Sequence, residues 1–171
     1  MQVFWQGLRR RAPGLLLQLL LLLLAVWALE AWMTRDAARG PAPAIVAQTL
    51  DGQSFTLSEL EGQAAVVHFW AVWCPVCELE QGMIDRLARA YPVITVAMQS
   101  GSEAEVAAYL REQGVDYPVI NDPDGALAAL YGVRAVPASF VLDPQGEVRF
   151  VTRGYTSGWG MRLRLWLAGI F

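Results

Sequence analysis

The two cysteines of the chain, Cys74 and Cys77, stand three positions apart, directly after an apolar run at residues 65–70. The β-branched and aromatic residues of that run predict a buried strand, and the residues that follow have the periodicity of a helix. Pro75 favours the first turn of a helix, where its missing N–H would have had no intrahelical partner. The sequence therefore predicts a dithiol at a strand-to-helix junction.

Such a pair has several chemical uses. Structural zinc generally takes four ligands, whereas the chain has two cysteines and one histidine. A static disulfide across so short a loop restrains the unfolded chain rather little, and two sulfur ligands also suit Cu(I). A redox-active dithiol, with no metal and no other cofactor, is the favoured interpretation. Because a helix N-terminus stabilises a thiolate, we expect Cys74 to be the nucleophile and Cys77 to be the less exposed partner.

The charge of the chain limits its partners. From Gly40 onward there are eight arginines against fourteen acidic residues, a net charge of about −6. Nucleic acid is bound mainly through basic surface, so this balance argues against a nucleic-acid partner. Beyond the apolar N-terminal segment there is room for one domain with its own core.

The N-terminus has the pattern of a membrane anchor. A head at residues 1–11 ends in three arginines, and residues 12–29 follow without a charge. Such a run is long enough to span a bilayer, and the arginines predict a cytoplasmic N-terminus. We expect an inner-membrane anchor at 12–33, a proline-containing linker at 34–44 and a periplasmic domain at 45–171. A cleaved signal peptide is the alternative, although the apolar run is longer than is usual for one.

The rest of the chain predicts strands and helices in alternation. In chain order we expect a hairpin around Asp51-Gly52, a strand at 65–70, a helix at 75–91, a strand at 93–98, a helix from 102 to 114, an extended piece at 117–120, a short helix at 126–131, strands at 138–142 and 147–152, and an amphipathic helix at 157–170. This order implies an α/β fold, in which helices flank both faces of a mixed sheet.

Two motifs carry a family resemblance: Phe69-Trp70-Ala71-x-Trp73-Cys74-x-x-Cys77 and, about sixty residues later, Val136-Pro137. Together they resemble the thioredoxin superfamily. The hairpin and the central insertion resemble its membrane-anchored TlpA, ResA and DsbE branch, and the ending at residues 154–160 resembles the thioredoxin-like D proteins of the suppressor of copper sensitivity group. The implied fold is a thioredoxin-like mixed sheet flanked by helices, with an N-terminal hairpin and a central insertion, after one transmembrane helix.

The resemblance implies a site and partners. Val136-Pro137 is expected to be a cis peptide that faces the dithiol, and an extended substrate segment is expected to bind beside it. The implied substrate-binding residues are Trp73, Pro75, Val76, Val136 and Pro137. The implied activity is thiol-disulfide exchange that reduces disulfides in client proteins, with a membrane electron-relay protein as reductant. A disulfide-forming oxidase is one alternative, and a Cu(I)-binding copper-tolerance protein is another.

Two further residues are candidates for proton transfer. Glu80 lies three residues after Cys77 on the apolar side of the predicted helix, where burial would raise its pKa and let it exchange a proton with Cys77. His68 stands where thioredoxins usually have a buried Asp, and is the rival. We expect Glu80 to be the main proton acceptor and His68 to tune it. The alternatives are a glutamate that reaches solvent and a hydrogen-bonded core histidine.

Overall fold

The computed structural model describes residues 17–25, 28 and 37–170, in two units, Met1–Arg35 and Asp36–Phe171. In the first unit, residues 17–25 are helical and exposed. Within the described ranges, no helix is both long and apolar enough to cross a membrane. The predicted head and most of the anchor at 12–33 lie outside the described residues, so both stay predictions.

The second unit contains a mixed sheet of six strands and a separate hairpin. In chain order the strands are β1 (Gly40–Pro41), β2 (Val46–Gln48), β3 (Ser54–Thr56), β4 (Ala65–Trp70), β5 (Val93–Met98), β6 (Val119–Asp122), β7 (Ala138–Leu142) and β8 (Glu147–Arg153). The six-stranded sheet has the order β1-β8-β7-β4-β5-β6, and β2 pairs with β3. β4 runs parallel to β5 and antiparallel to β7. The predicted mixed sheet and hairpin are confirmed.

Four α-helices accompany the sheet: α1 (Pro75–Ala88), α2 (Glu103–Gln113), α3 (Ala126–Leu130) and α4 (Gly158–Ala168). A local sequence signal explains where α2 begins. The side chain of Ser102 accepts the backbone N–H of Glu105, whose carboxylate in turn accepts the N–H of Ser102, so α2 begins with a capping box. α1 ends at Ala88, three residues earlier than predicted.

The central strand β4 separates two apolar clusters. All six of its residues are buried, as is typical of a strand covered on both faces. Val67 and Phe69 pack on one side, where Phe69 contacts the rings of Tyr131 and Phe140. Val66 and Trp70 pack on the other side, with the two cysteines. The side chains of β4 therefore form the floor beneath α1.

The predicted linker at 34–44 is wrong for its described part. Gly40 and Pro41 form β1, which pairs with β8, and Ala37 is buried. The N–H of Ala38 donates to the carbonyl of Tyr131, and the Tyr131 hydroxyl donates to the carbonyl of Pro43. These residues belong to the domain because their backbone groups are hydrogen-bonded to β8 and Tyr131. The same groups of a solvated tether would be hydrogen-bonded to water.

Helix α4 also differs from the expectation. Its inner face is buried at Met161, Leu165 and Ala168, as an amphipathic helix requires. Its outer face, however, exposes Trp159, Leu163 and Trp166 rather than a polar surface. Burial against the sheet therefore accounts for only one of its two apolar faces.

Candidate active site

Cys74 and Cys77 form a disulfide at the N-terminus of α1. Their Cα atoms lie 5.3 Å apart, within the range that a disulfide allows. Cys74 is the N-cap residue with an extended backbone, and Pro75 occupies the first turn. The Cys74 Sγ accepts the backbone N–H of Cys77 at 3.1 Å. The same N–H group is available to stabilise a Cys74 thiolate in the reduced protein.

The two cysteines differ in their access to solvent. Cys74 keeps 6% of its surface exposed and Cys77 only 1%. An attacking thiolate reaches the Cys74 sulfur first, whereas Cys77 faces the floor formed by β4. This confirms that Cys77 is the less exposed of the pair.

The loop before β7 lies against the disulfide. The peptide bond between Val136 and Pro137 is cis, as the resemblance implied. The carbonyl oxygen of Val136 lies 3.6 Å from the Cys74 Sγ, although the residues are 62 positions apart. Pro137 is buried, and its carbonyl accepts the N–H of Gly154 at 2.8 Å. The loop is thereby tied to the end of β8.

The surface around the disulfide is apolar. Trp73 is 55% exposed and Val76 39% exposed, and Pro75 is exposed between them. These three residues are next to Cys74 in the chain, at the start of α1. They form an apolar rim beside the disulfide.

The loop after β5 supports this rim, and sequence reasoning missed it. The indole N–H of Trp73 donates to the carbonyl of Gln99 at 2.9 Å. Ser100 accepts the backbone N–H of Val72 at 3.1 Å and donates to the carbonyl of Met98. Nothing local in the sequence marks Gln99 or Ser100 as supports of the rim, because Trp73 and Val72 lie more than twenty positions away from them.

Glu80 is buried on the inner face of α1, with 1% of its surface exposed. The alternative of a glutamate that reaches solvent is therefore wrong. One carboxylate oxygen accepts the backbone N–H of Thr156, a contact the sequence did not predict. Burial raises the pKa of Glu80 to about 7, although the N–H of Thr156 acts in the opposite direction. One turn after Cys77 on the same helix, this carboxyl titrates near neutral pH.

His68 is buried on the floor beneath α1. It lies between Thr95 of β5 and Ser139 of β7, and its Nδ1 is 2.9 Å from the Ser139 hydroxyl. Burial lowers the pKa of His68 to about 3, so the imidazole is neutral at physiological pH. These observations favour the alternative of a hydrogen-bonded core histidine. To accept a proton near neutral pH, His68 would need a higher pKa, and burial lowers it.

A buried polar row crosses the floor. Four residues stand side by side on neighbouring strands: Thr95, His68, Ser139 and Thr152. Thr95 accepts the indole N–H of Trp70 at 3.1 Å and donates to the carbonyl of Pro118. Thr95, His68 and Ser139 are therefore hydrogen-bonded, whereas the buried hydroxyl of Thr152 has no hydrogen-bond partner among the described residues. Within the described part of the chain, no three His, Cys, Asp or Glu side chains are grouped so as to hold a metal ion.

A thioredoxin-like sheet that carries a Cys-x-x-Cys disulfide at a helix N-terminus, beside a cis-proline loop, defines a thiol-disulfide oxidoreductase of the thioredoxin superfamily. Sequence comparison identifies the family. A family model described as AhpC/TSA family matches residues 38–151. The chain belongs to the AhpC/TSA family.

Individual relatives agree with this class. A thioredoxin-like protein of Haemophilus influenzae is 36% identical over 129 residues, which cover 74% of this chain and 77% of the relative. The thiol-disulfide oxidoreductase ResA of Oceanobacillus iheyensis is 27% identical over 114 residues, 64% of this chain but only 59% of its own length. The solved structure of a thiol:disulfide interchange protein of the thioredoxin family from Chlorobium tepidum has 29% identity and a TM-score of 0.66, and the match covers 78% of this chain and 98% of that one.

Proposed function

We propose that this protein is a membrane-anchored, periplasmic oxidoreductase that reduces disulfides in client proteins. The observation that carries the proposal is the Cys74 sulfur, which caps α1, accepts the N–H of Cys77 and lies beside the Val136 carbonyl. A thiolate at this position is stabilised by the helix N-terminus, and the neighbouring carbonyl offers a backbone partner to an extended client.

The reaction has two exchange steps. The Cys74 thiolate attacks one sulfur of the client disulfide, and the other client sulfur leaves as a thiolate that takes up a proton. Cys77 then loses its proton and attacks the Cys74 sulfur, which releases the second client thiolate and forms the Cys74–Cys77 disulfide. Two electrons pass from the protein to the client. A membrane electron-relay protein is the proposed partner that returns the dithiol to its reduced form.

Glu80 is the proposed acceptor of the Cys77 proton. It follows Cys77 by one helical turn, it is buried on the inner face of α1, and burial raises its pKa to about 7. A carboxyl with this pKa is matched to proton exchange near neutral pH. We propose that His68 does not accept the proton, because burial holds its pKa near 3. As a neutral imidazole, it only orients and polarises the neighbouring polar side chains of the floor.

The direction of electron flow is tested by redox equilibration. The full chain is incubated in glutathione buffers of graded redox ratio, and the fraction of Cys74–Cys77 disulfide is measured by thiol alkylation and mass analysis. We expect a midpoint potential more negative than that of the glutathione couple, since a reductant of client disulfides must be the stronger donor. A more positive midpoint would favour the disulfide-forming oxidase instead.

The proposed location rests on the three arginines before the uncharged run at 12–29. We expect the full chain to fractionate with the inner membrane, and an impermeant thiol reagent added to the periplasm to label the reduced Cys74. Recovery of a soluble mature form that starts near Leu29 would favour the cleaved signal peptide.

A further inference from the structure

A groove with a volume of about 400 Å³ lies between α1 and the start of α4. Leu79, Gly82 and Met83 line its α1 wall, and Tyr155 and Trp159 line the opposite wall. Leu79 is 74% exposed, Tyr155 62% and Trp159 88%. These large side chains are therefore accessible to a partner. This surface is termed the α1–α4 groove.

The groove continues the apolar rim of the disulfide along α1. At 3.6 residues per turn, four residues fall within an arc of about 80°: Val76, Leu79, Met83 and Arg86. Val76 belongs to the rim, and the other three line the groove. With a rise of 1.5 Å per residue, Arg86 lies about 18 Å along the helix from Cys74. An extended segment advances about 3.3 Å per residue, so about five or six residues span that distance.

The two walls of the groove are joined close to the dithiol. Thr156 stands between Tyr155 and Ser157, which both line the groove. Its backbone N–H donates to the buried carboxylate of Glu80 on α1. The wall formed by residues 155–157 is therefore held against the helix that carries the disulfide.

Two glycines line the groove for different reasons. A Cβ at Gly158 would lie only 3.2 Å from the Cγ of Met83, so the close approach of the walls favours a glycine there. At the exposed Gly82, a Cβ would meet only Arg86, at an ordinary distance of 3.5 Å. Glycine in the middle of a helix is destabilising. Packing within the domain therefore does not account for Gly82, whereas a ligand that fills the groove would.

The charged side chains that line the groove have one sign. Arg86 and Arg162 are both exposed, and no carboxylate of the described residues lines the groove with them. Asp85, the neighbour of Arg86, forms a salt bridge with Arg89 instead. The domain is acidic, with a net charge of about −6 from Gly40 onward. The groove is thus a cationic and apolar surface on an acidic domain, and the segment that complements it is acidic and apolar.

We propose that the α1–α4 groove binds an acidic and apolar segment of a client protein while Cys74 attacks the client disulfide, a proposal that rests on the client reduction proposed above. The apolar side chains of the segment contact Leu79 and Trp159. Its carboxylates pair with Arg86 and Arg162. Because about five or six extended residues span the distance, the segment lies that close to the client cysteine. The groove therefore selects clients by the sequence beside their disulfide.

Two peptides test this selection. Each has one cysteine in a mixed disulfide with thionitrobenzoate and, about five to seven positions away, a tail of leucines with either aspartates or lysines. Attack of Cys74 on the peptide sulfur releases the coloured thionitrobenzoate thiolate, which stopped-flow absorbance follows. With the reduced full chain, we expect the aspartate peptide to react about tenfold faster, roughly threefold for each arginine. The net charge of the domain alone would favour the lysine peptide.

The ratio of the two rate constants is then compared among variants, because a ratio cancels any effect on the dithiol itself. Changing Arg86 and Arg162 together to Gln removes the preference for aspartate, whereas Arg111→Gln, at an exposed position of α2, keeps it. Gly82→Leu fills the groove and lowers the ratio, while the fold is retained because Leu is the better helix former. Ala104→Leu adds the same side chain to an exposed position of α2 and keeps the wild-type ratio.

The outcomes separate this docking from the reduction on which it rests. A reduced chain that releases thionitrobenzoate from neither peptide overturns both proposals. A chain that reacts with both peptides without a preference for aspartate, or whose preference survives the change of Arg86 and Arg162 to Gln, keeps its exchange activity and overturns the docking alone. Groove variants that convert a dimer into monomers and leave the ratio unchanged would show instead that the groove joins two copies.

Discussion

The buried carboxylate of Glu80 accepts the backbone N–H of Thr156, which joins the helix of the disulfide to the segment after β8. A charged carboxylate in this position has lost most of its water, and one N–H replaces only part of that hydration. The protonation of Glu80 therefore affects both the stability of the fold and the chemistry of the neighbouring Cys77.

Glu80 makes the oxidised protein less stable as the pH rises. Its pKa is raised from 4.5 to about 7 on folding, so between these values the folded state holds a proton that the unfolded state has released. The contribution of Glu80 to stability is fully present below pH 4.5 and is lost as the pH rises through about 7. We expect Glu80→Gln to gain up to about 3 kcal/mol relative to the wild type across this window. Denaturant unfolding at the two ends of the window measures it.

The control for this measurement is Glu78→Gln, an exposed glutamate of the same helix. This variant makes the same chemical change on the exposed side of α1, so it measures the effect of a Glu-to-Gln change without burial. Equal stability profiles for Glu80→Gln and the wild type would contradict the raised pKa of Glu80.

His68 has the opposite linkage and a direct spectroscopic test. Its pKa falls from 6.5 to about 3 on folding, so its contribution to stability is present above 6.5 and is lost as the pH falls toward 3. Because it is the only histidine of the chain, its imidazole signals in an NMR titration are unambiguous. We expect no titration with a midpoint near 6.5 while the protein is folded. A midpoint near that value would restore His68 as a proton acceptor.

The two cysteines should behave differently when each is changed to Ser. Cys77→Ser leaves the more accessible Cys74 sulfur without its resolving partner, so mixed disulfides with a model disulfide substrate accumulate. Cys74→Ser leaves only the 1% exposed Cys77, so few should form. Non-reducing gels followed by mass analysis count the adducts. More adducts in Cys74→Ser than in Cys77→Ser would reverse the two roles.

The rate at which Cys77 resolves the mixed disulfide should depend on Glu80. With a pKa of about 7, the carboxyl becomes an effective proton acceptor only when it ionises, so the rate should rise through that pH. Glu80→Gln should remove this inflection and lower the rate at high pH by roughly tenfold or more. Stopped-flow measurement against pH tests it, with His68→Asn as the comparison. Loss of the inflection in His68→Asn alone would assign the proton to His68.

The residues assigned to a linker should stabilise the domain. A truncated chain that begins at Ile45 lacks β1 and removes the acceptor of the buried Tyr131 hydroxyl, the Pro43 carbonyl. Three hydrogen bonds are lost: from the Ala38 N–H to the Tyr131 carbonyl, from the Ala42 N–H to the Gly146 carbonyl, and from the Tyr131 hydroxyl to the Pro43 carbonyl. At roughly 1 kcal/mol for each bond, we expect this chain to be about 3 kcal/mol less stable than one that begins at Ala37. Thermal and denaturant unfolding of the two forms compare them. Equal stabilities would show that residues 37–44 act as a tether after all.

Local chemistry explains where prediction from sequence succeeded. The pair Ser102 and Glu105 predicts the start of α2, since a capping box acts within one turn. The apolar run at β4 likewise predicts a strand covered on both faces, because the run consists of neighbours along the chain. β1 was missed because two residues form a strand only when β8 lies beside them. Leu79 of α1 is exposed, because the apolar residues of that helix lie on more than one side.

The sequence by itself determined that a dithiol stands at the start of a helix, with Cys74 as its cap and Cys77 one turn on, because caps and helical spacing are set by neighbours along the chain. Only the tertiary structure decided what surrounds that dithiol. It brings the Val136 carbonyl to 3.6 Å from the Cys74 sulfur, raises the pKa of Glu80 and lowers that of His68. These properties depend on which distant segments exclude water from each group, and water exclusion is decided by packing in three dimensions.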